Sequence, residues 1–207
     1  MDITIIGTGN MARGIATRAL SGSNRVTLLG TSTEKAQALA GELAGDVRAG
    51  QVGDPLDDDV VVLAVWYQAV DDVLRRYERD LDGKVVVDIT NPVDTETYAP
   101  LSIEAGSVAQ EIAARVPGAK VVKAFNTTFA GTLVAGQVAG EQLDVLLASD
   151  DEEAKDAVAR LASDGGMRPI DVGPLTLAHN LEALGYLNMA IQPTLGTNYG
   201  SAFKILA

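Results

Sequence analysis

The stretch ITIIGTGNMA, residues 3–12, decides the fold, because an apolar run ends directly in a glycine-rich turn. Ile3–Ile6 predicts a strand, and residues 10–20 predict an amphipathic helix. The turn has the form G-x-G-x-x-A, and Arg25–Leu29 predicts the second strand of one βαβ unit. A glycine pattern between a strand and a helix indicates a dinucleotide-binding turn.

Each position of this turn has a physical reason. Gly7 permits the tight turn, and Gly9 lets the backbone approach a diphosphate without a Cβ in between. Ala12 allows close packing of the helix on the strand. The free N–H groups at the helix start, over Thr8, Asn10 and Met11, are suited to hold the anion. The alternative is a glycine-rich turn that binds no ligand.

Beyond this unit, apolar runs alternate with helix-length amphipathic stretches. This alternation predicts an α/β fold, a doubly wound Rossmann-like sheet, mostly parallel, with a C-terminal helix. We predict a single domain over residues 1–207, with a turn-rich segment at 45–59. The further predicted strands are 60–65, 84–89, 120–124, 143–148 and 168–171, and the further predicted helices are 33–43, 69–77, 107–116, 128–135, 152–163 and a long one at 175–191.

In such a fold, ligands collect at the carboxyl ends of the strands. The loops 7–12, 30–35, 65–68, 90–93 and 124–128 are therefore expected to form the site.

Composition narrows the function classes. The chain has no cysteine, which excludes disulfides and thiolate chemistry, and its net charge of −12 disfavours nucleic-acid binding. There is no apolar run long enough to span a bilayer and no basic leader, so we expect a cytoplasmic protein that does not bind membranes. The acidic surface has two interpretations: an ordinary solvated surface, or the acidic proteome of a salt-rich cytoplasm.

The end of the second strand indicates which dinucleotide binds. Proteins that bind NAD usually place an acidic residue at this strand end. Residues 29–35 read LGTSTEK, with no acidic residue at position 29 or 30. The hydroxyls of Thr31 and Ser32 and the ammonium of Lys35 suit a 2′-phosphate, so we expect NADP(H). Thr31 to Thr33 can also simply cap the second helix, and both roles are compatible.

The chain resembles the coenzyme F420-dependent NADP oxidoreductases and the NADPH-binding domain of six-transmembrane metalloreductases. The resemblance is carried by residues 6–12, 30–32, 87–92, 121–126, 168–175 and 181–184. It implies hydride transfer between NADP(H) and a flavin-like ring, with residues 8–11 on the diphosphate. It also implies a homodimer, and residues 174–207 would complete the acceptor site or the dimer interface.

The resemblance also implies a wall for the nicotinamide and the acceptor ring. The implied residues are Val65, Trp66, Asn91, Pro92, Ala124, Phe125 and Asn126. Two departures leave the acceptor open between F420, a free flavin (FMN or FAD) and another molecule. The loop at 65–69 is shorter than the Pro-Trp-Glu-His loop of the F420 enzymes, and Phe125-Asn126 replaces a histidine-containing stretch there.

Hydride transfer between two ring systems needs orientation and dryness more than an acid or base, so we expect no catalytic side chain and no metal. The amides of Asn91 and Asn126 are candidates to fix a carboxamide. His179, the single histidine, has two interpretations: a proton donor for a carbonyl substrate, or an ordinary helix residue at the edge of the cleft, which is favoured. Residues Asp57–Asp59 are interpreted as a solvated loop. Two other functions remain: reduction of a small carbonyl or imine, and a silent NADP-binding sensor.

Overall fold

The computed structural model describes residues 1–206 and places a mostly parallel sheet between two layers of helices. The elements are β1 Asp2–Ile6, α1 Asn10–Ser21, β2 Arg25–Gly30, α2 Thr33–Ala40, β3 Val47–Gln51, β4 Val60–Leu63, α3 Tyr67–Tyr77, β5 Val85–Asp88, α4 Val108–Arg115, β6 Lys120–Lys123, α5 Ala130–Ala135, β7 Gln137–Val138, β8 Glu141–Gln142, β9 Asp144–Ala148, α6 Glu152–Asp164, β10 Arg168–Gly173, α7 Ala178–Ala190 and α8 Gln192–Leu195.

The eight-stranded sheet has the order β10-β9-β6-β5-β4-β1-β2-β3. Strands β1 to β6 all pair in parallel, and β9 pairs antiparallel to β6. The register brings Leu29, Ile6, Leu63, Asp88 and Lys123 side by side as one row across the sheet. This arrangement confirms the doubly wound, Rossmann-like fold predicted from the sequence.

Alternating strand residues fill a separate core on each face of the sheet. Val60 and Val62 pack on one face, with α1 and α6, while Val61 and Leu63 pack on the other, with α3 and α4. Burying one such side chain stabilises the fold by about 1.5–3 kcal/mol. Because both faces are covered, the strands are continuous apolar runs rather than alternating ones.

The structure corrects the prediction in three places. The segment 45–59 is not turn throughout, because it contains strand β3, which lies at the sheet edge and, among residues 1–206, pairs only with β2. Residues 137–142 form a two-stranded hairpin that was not predicted. The long helix at 175–191 is divided: Leu175–Leu177 form a 3₁₀ turn after Pro174, and α7 begins at Ala178. Within residues 1–206, every helix is too short or too polar to cross a bilayer.

Candidate functional site

The carboxyl ends of β1, β2, β4, β5 and β6 share one edge of the sheet, and the loops that follow them meet there. These are the loops that the sequence singled out. The chain order reverses between β1 and β4, so the glycine turn after β1 lies beside the loop after β4. Such a switch point is where open α/β sheets bind their ligands.

Gly7 makes the turn possible. Its φ is +128°, and its N–H donates to the carbonyl of Leu29 at 2.9 Å. A Cβ at this position would overlap the carbonyl oxygen of Ala64, in the loop after β4. The backbone itself therefore requires glycine here, with or without a ligand.

Gly9 is under no such constraint from the protein. It precedes α1 in an extended conformation, and a Cβ on it would meet no atom of residues 1–206 within 4 Å. No side chain caps α1, and its first turn carries no acidic residue. Arg13 donates the first intrahelical hydrogen bond, to Gly9, so the N–H groups of residues 10–12 face out of the helix start. Free amides beside open space fit a diphosphate.

The end of β2 closes against the glycine turn. A Cβ on Gly30 would lie 3.0 Å from Cγ2 of Thr8 and 2.8 Å from the carbonyl oxygen of Ser32. Ser32 caps α2, its Oγ accepting from the N–H of Lys35 at 3.4 Å. Thr31 and Lys35 are exposed. The capping and phosphate-binding interpretations of this loop thus apply to the same turn.

Glu34 stands in that turn and was passed over in the sequence. Its own backbone N–H, and then the Ser32 hydroxyl, hold the pKa of this exposed carboxyl below its usual value. Glu34 thus adds a carboxylate to the turn whose Ser32 hydroxyl is expected to face a phosphate.

Asn91 and Asn126 form a pair at the ends of β5 and β6. The Asn126 amide donates to Asn91 Oδ1 and to the Leu181 carbonyl, both at 2.8 Å, and the Asn91 amide donates to the Asn126 carbonyl at 2.9 Å. Helix α7 crosses this pair at Gly185, where a Cβ would lie 2.7 Å from Asn91 Oδ1. Oδ1 of Asn126 is buried and has no hydrogen-bond partner among residues 1–206.

The other candidate wall residues differ in exposure. Trp66, directly after β4, is 55% exposed, and Val65 and Pro92 are half-buried. Ala124 and Phe125 are fully buried, and Phe125 has a φ of +61°. Trp66 therefore offers the most exposed side chain of this set to a bound ring, whereas Ala124 and Phe125 lie in the core.

Three charged groups lie beneath these loops. Lys123 and Asp88, at the ends of β6 and β5, are 0% exposed, and Glu182 on α7 is 5% exposed. Lys123 Nζ donates to Asp88 Oδ2 at 2.8 Å, to Glu182 Oε1 at 2.7 Å and to the Thr90 carbonyl at 2.5 Å. Burial raises the pKa of Glu182, although the Lys123 ammonium acts in the opposite direction. The sequence signal was a charge at the carboxyl end of each of two buried strands, since a buried charge needs a partner.

The C-terminal tail folds back over α7 and the loop after β6. Gln192 donates to the Ser201 hydroxyl at 2.7 Å and accepts from the Tyr199 N–H at 3.1 Å. The Tyr199 ring meets Phe129 edge to face, with centroids 5.2 Å apart. These contacts hold residues 197–201 against Gln192 of α8 and against Phe129, which lies between β6 and α5.

Two other sequence candidates lie apart from these contacts. His179 is exposed, and its Nδ1 is 2.8 Å from the Thr176 carbonyl oxygen, one turn earlier. In the acidic run 57–59, Asp58 accepts from the Thr4 hydroxyl at 2.7 Å. Residues 1–206 contain no group of three or more side chains arranged to hold a metal ion.

Fold and site together define a class. A glycine turn with open amides, at the switch point of a doubly wound sheet, is the architecture of a dinucleotide-dependent oxidoreductase.

Comparisons with known proteins agree with this class. Residues 2–92 match the family model for coenzyme F420-dependent NADP oxidoreductase. The chain is 30% identical over 206 residues to the F420-dependent NADP reductase of Methanocaldococcus jannaschii, covering 89% of each chain. It is 31% identical over 183 residues to Metalloreductase STEAP3 of Rattus norvegicus, covering 88% of this chain and 36% of the relative.

A solved structure extends the likeness to the whole chain. It is that of a proposed F420-dependent NADP-reductase from Arthrobacter sp. FB24, 29% identical, with a TM-score of 0.85 and 99% of each chain covered. The chain belongs to the family of F420-dependent NADP reductases, and it is an oxidoreductase. This family assignment confirms the resemblance identified from the sequence.

Proposed function

We propose that the protein transfers a hydride between NADPH and coenzyme F420. The observation that carries the proposal is the turn at Gly9, where free amides face open space that the protein leaves unfilled. The family membership supports the choice of F420. Two relatives that this chain covers over 86–89% of their length are named F420-dependent NADP reductase. When bound, the two rings supply the redox chemistry, and the protein orients them and excludes water.

The cofactor half of the site follows the glycine turn. Residues Gly7, Thr8, Gly9, Asn10 and Met11 hold the diphosphate, which accepts hydrogen bonds from the start of α1. Thr31, Ser32 and Lys35 receive the 2′-phosphate. In support, Lys35 is exposed and forms no ion pair with another residue in the range 1–206.

The nicotinamide lies over the Asn91–Asn126 pair. Three side-chain groups of this pair are already engaged within the protein. Oδ1 of Asn126, which is buried and has no partner in residues 1–206, becomes the acceptor for a carboxamide N–H when the loops move to admit the ring. Trp66 and Val65 then provide the wall against which the acceptor ring lies. The tail residues 197–201, which contact Phe129 and α7, complete this acceptor side.

The test is turnover with purified protein. NADPH is mixed with F420, FMN or FAD in separate reactions, and the loss of the dihydronicotinamide absorbance is followed. We expect oxidation with F420 at a rate well above that with either flavin. Faster oxidation of NADPH with FMN or FAD would show that a flavin, and not F420, is the acceptor. Tight NADPH binding without turnover on any ring would instead indicate a silent sensor.

We also propose that two copies associate through α7. From residue 183 to residue 203 the chain has no charged side chain, although its net charge is −12. Leu187 on α7 is 49% exposed, and Ala183 and Ala190 lie exposed on the same helix. Two strongly acidic molecules repel each other elsewhere, so this uncharged apolar face is where they can meet.

Light scattering after size-exclusion chromatography tests the homodimer. The wild-type protein should have twice the chain mass, and Leu187→Glu should shift it to the monomer. Val134→Glu, which alters another exposed apolar residue on α5, is the matched control and should leave the dimer intact. A monomeric wild-type protein would contradict this proposal.

A further inference from the structure

The buried cluster of Asp88, Lys123 and Glu182 carries one more carboxylate than ammonium. The Lys123 ammonium has three N–H groups, and it donates three hydrogen bonds: to Asp88, to Glu182 and to the Thr90 carbonyl. Among residues 1–206, Lys123 is the only cation that forms an ion pair with Asp88 or with Glu182. Apolar side chains of similar volume would stabilise such a site at least as well, so stability alone does not explain the cluster.

The remaining partners of the two carboxylates are neutral donors. The N–H of Val108, which opens α4, donates to Glu182 Oε1 at 2.9 Å. The N–H and hydroxyl of Thr90 both donate to Asp88 Oδ1 at 2.8 Å. The helix start adds a partial positive charge only. Burial raises the pKa of Glu182, but the Lys123 ammonium and the Val108 N–H act against that rise and favour the ionised form. With Glu182 ionised, the cluster keeps a surplus of negative charge.

The cluster lies directly below the proposed nicotinamide position. Lys123 binds the carbonyl of Thr90, which precedes Asn91, and Glu182 lies one residue after Leu181, whose carbonyl binds Asn126. A charge that is shielded from water acts over this short range with little screening. Its field therefore reaches a ring bound on the Asn91–Asn126 pair.

We infer that this surplus charge makes the site favour the oxidised, cationic nicotinamide over the neutral reduced ring. Transfer of the hydride with its electron pair to the acceptor leaves one positive charge on the nicotinamide. The cluster stabilises that charge and so assists oxidation of NADPH. Glu182 and Asp88 are positioning residues, since they act through the field and the loop without touching the ring. The inference rests on the proposed function.

Glu182→Gln tests the inference, because glutamine keeps the shape and removes the charge. The dissociation constants for NADP⁺ and NADPH are measured by quenching of the Trp66 fluorescence. We expect the constant for NADP⁺ to rise by about threefold or more relative to that for NADPH. Glu111→Gln is the matched control: it removes a carboxylate on the same sheet face, bonded to the Tyr67 hydroxyl at 3.2 Å, and should leave the ratio unchanged.

An unchanged ratio in folded Glu182→Gln would overturn the inference. Asp88→Asn removes the same charge from the other side of Lys123 and serves as the second variant, with the same expected shift. If neither variant folds, the cluster is a structural element and the inference is wrong. Failure of the wild-type protein to bind either nucleotide would instead count against the proposed function.

Discussion

Gly7 and Gly9 belong to one motif, but the reason for glycine differs between the two positions. Gly7 is required by the backbone, since its φ is +128° and a Cβ would overlap the Ala64 carbonyl. Gly9 adopts an ordinary extended conformation beside open space. The motif letters do not distinguish these roles, whereas the geometry does.

This difference predicts opposite outcomes for two alanine variants. Gly7→Ala should lower the free energy of unfolding by about 2 kcal/mol or more, because of strain and overlap. Gly9→Ala should change it by less than about 1 kcal/mol but weaken NADPH binding by about tenfold or more, since the methyl group occupies the diphosphate position. Denaturant titration and nucleotide titration measure the two effects. Normal NADPH affinity in Gly9→Ala would contradict the proposed diphosphate site.

Ser32 allows a test of dinucleotide choice that leaves the fold unchanged. Asp, Asn and Ser are similarly good helix caps, so Ser32→Asp and Ser32→Asn should both preserve α2. We expect Ser32→Asp to weaken NADPH about tenfold or more, since a carboxylate repels the 2′-phosphate, and to affect NADH far less. Ser32→Asn is the neutral control. An equal loss of both nucleotides in Ser32→Asp would exclude the 2′-phosphate role.

At this scale the sequence revealed the glycine turn but not the charged cluster. Asp88, Lys123 and Glu182 are far apart along the chain, and their contacts depend on strand register and on where α7 lands. Local pattern holds no information on either. The ends of VVVD and KVVK did show that two charges enter a buried sheet.

At the scale of elements, α7 contacts the strand ends through one position. A Cβ on Gly185 would lie 2.7 Å from the Asn126 carbonyl oxygen and 2.7 Å from Asn91 Oδ1. That contact is tighter than real side chains tolerate, so α7 can lie this close only because residue 185 is glycine.

Gly185→Ala should therefore lower the free energy of unfolding by about 1–3 kcal/mol, despite alanine's better helix propensity. It should also weaken nucleotide binding, because the Asn91–Asn126 pair must shift. Gly131→Ala is the matched helical control, since a Cβ there meets nothing within 4 Å. It should not destabilise the protein. Equal stability of the two variants would show that α7 does not pack as described.

Strands with a strong sequence pattern of apolar β-branched residues were predicted well, and the strand with a weak pattern was not. The buried strands β1, β4, β5 and β6 are runs of β-branched residues that a sequence reveals directly. Strand β3 reads VRAGQ, with one β-branched residue, and forms by pairing with β2 at the sheet edge. Its identity depends on tertiary contact, which overrides propensity.

At the scale of the whole molecule, Asp144 ties the tail to the end of the sheet. It accepts from the Arg168 guanidinium at 2.6 and 2.8 Å, from Lys204 Nζ at 2.9 Å and from the Ile205 N–H at 2.8 Å. Burial acts to raise the pKa of Asp144, but these donors outweigh it and lower the pKa from 3.8 to about 2.

Because the folded pKa is the lower one, this contribution to stability is complete above 3.8 and is lost as pH falls through about 2. It amounts to about 2 kcal/mol. Wild-type protein should lose that much more unfolding free energy between about pH 5 and about pH 2 than Asp144→Asn does. Denaturant titrations at both pH values measure the difference. Parallel losses in the two proteins would mean that Asp144 does not anchor the tail.

The overall architecture was predictable because alternating strands and helices allow few topologies. The reversal of β9 against β6 was not predictable, since the connection through α5 and the β7–β8 hairpin leaves the strand direction open. Nor did the sequence show that residues 197–201 fold back on α7, which depends on the buried side chains of Asn188 and Gln192.

The claim on which the function depends is that the turn after β1 binds a diphosphate. A crystal structure of the protein grown with NADP⁺ tests it directly. We expect density for the diphosphate within hydrogen-bond reach of the N–H groups of residues 10–12, and the nicotinamide beside Asn126. Nucleotide bound elsewhere, or no nucleotide at a saturating concentration, would contradict the account.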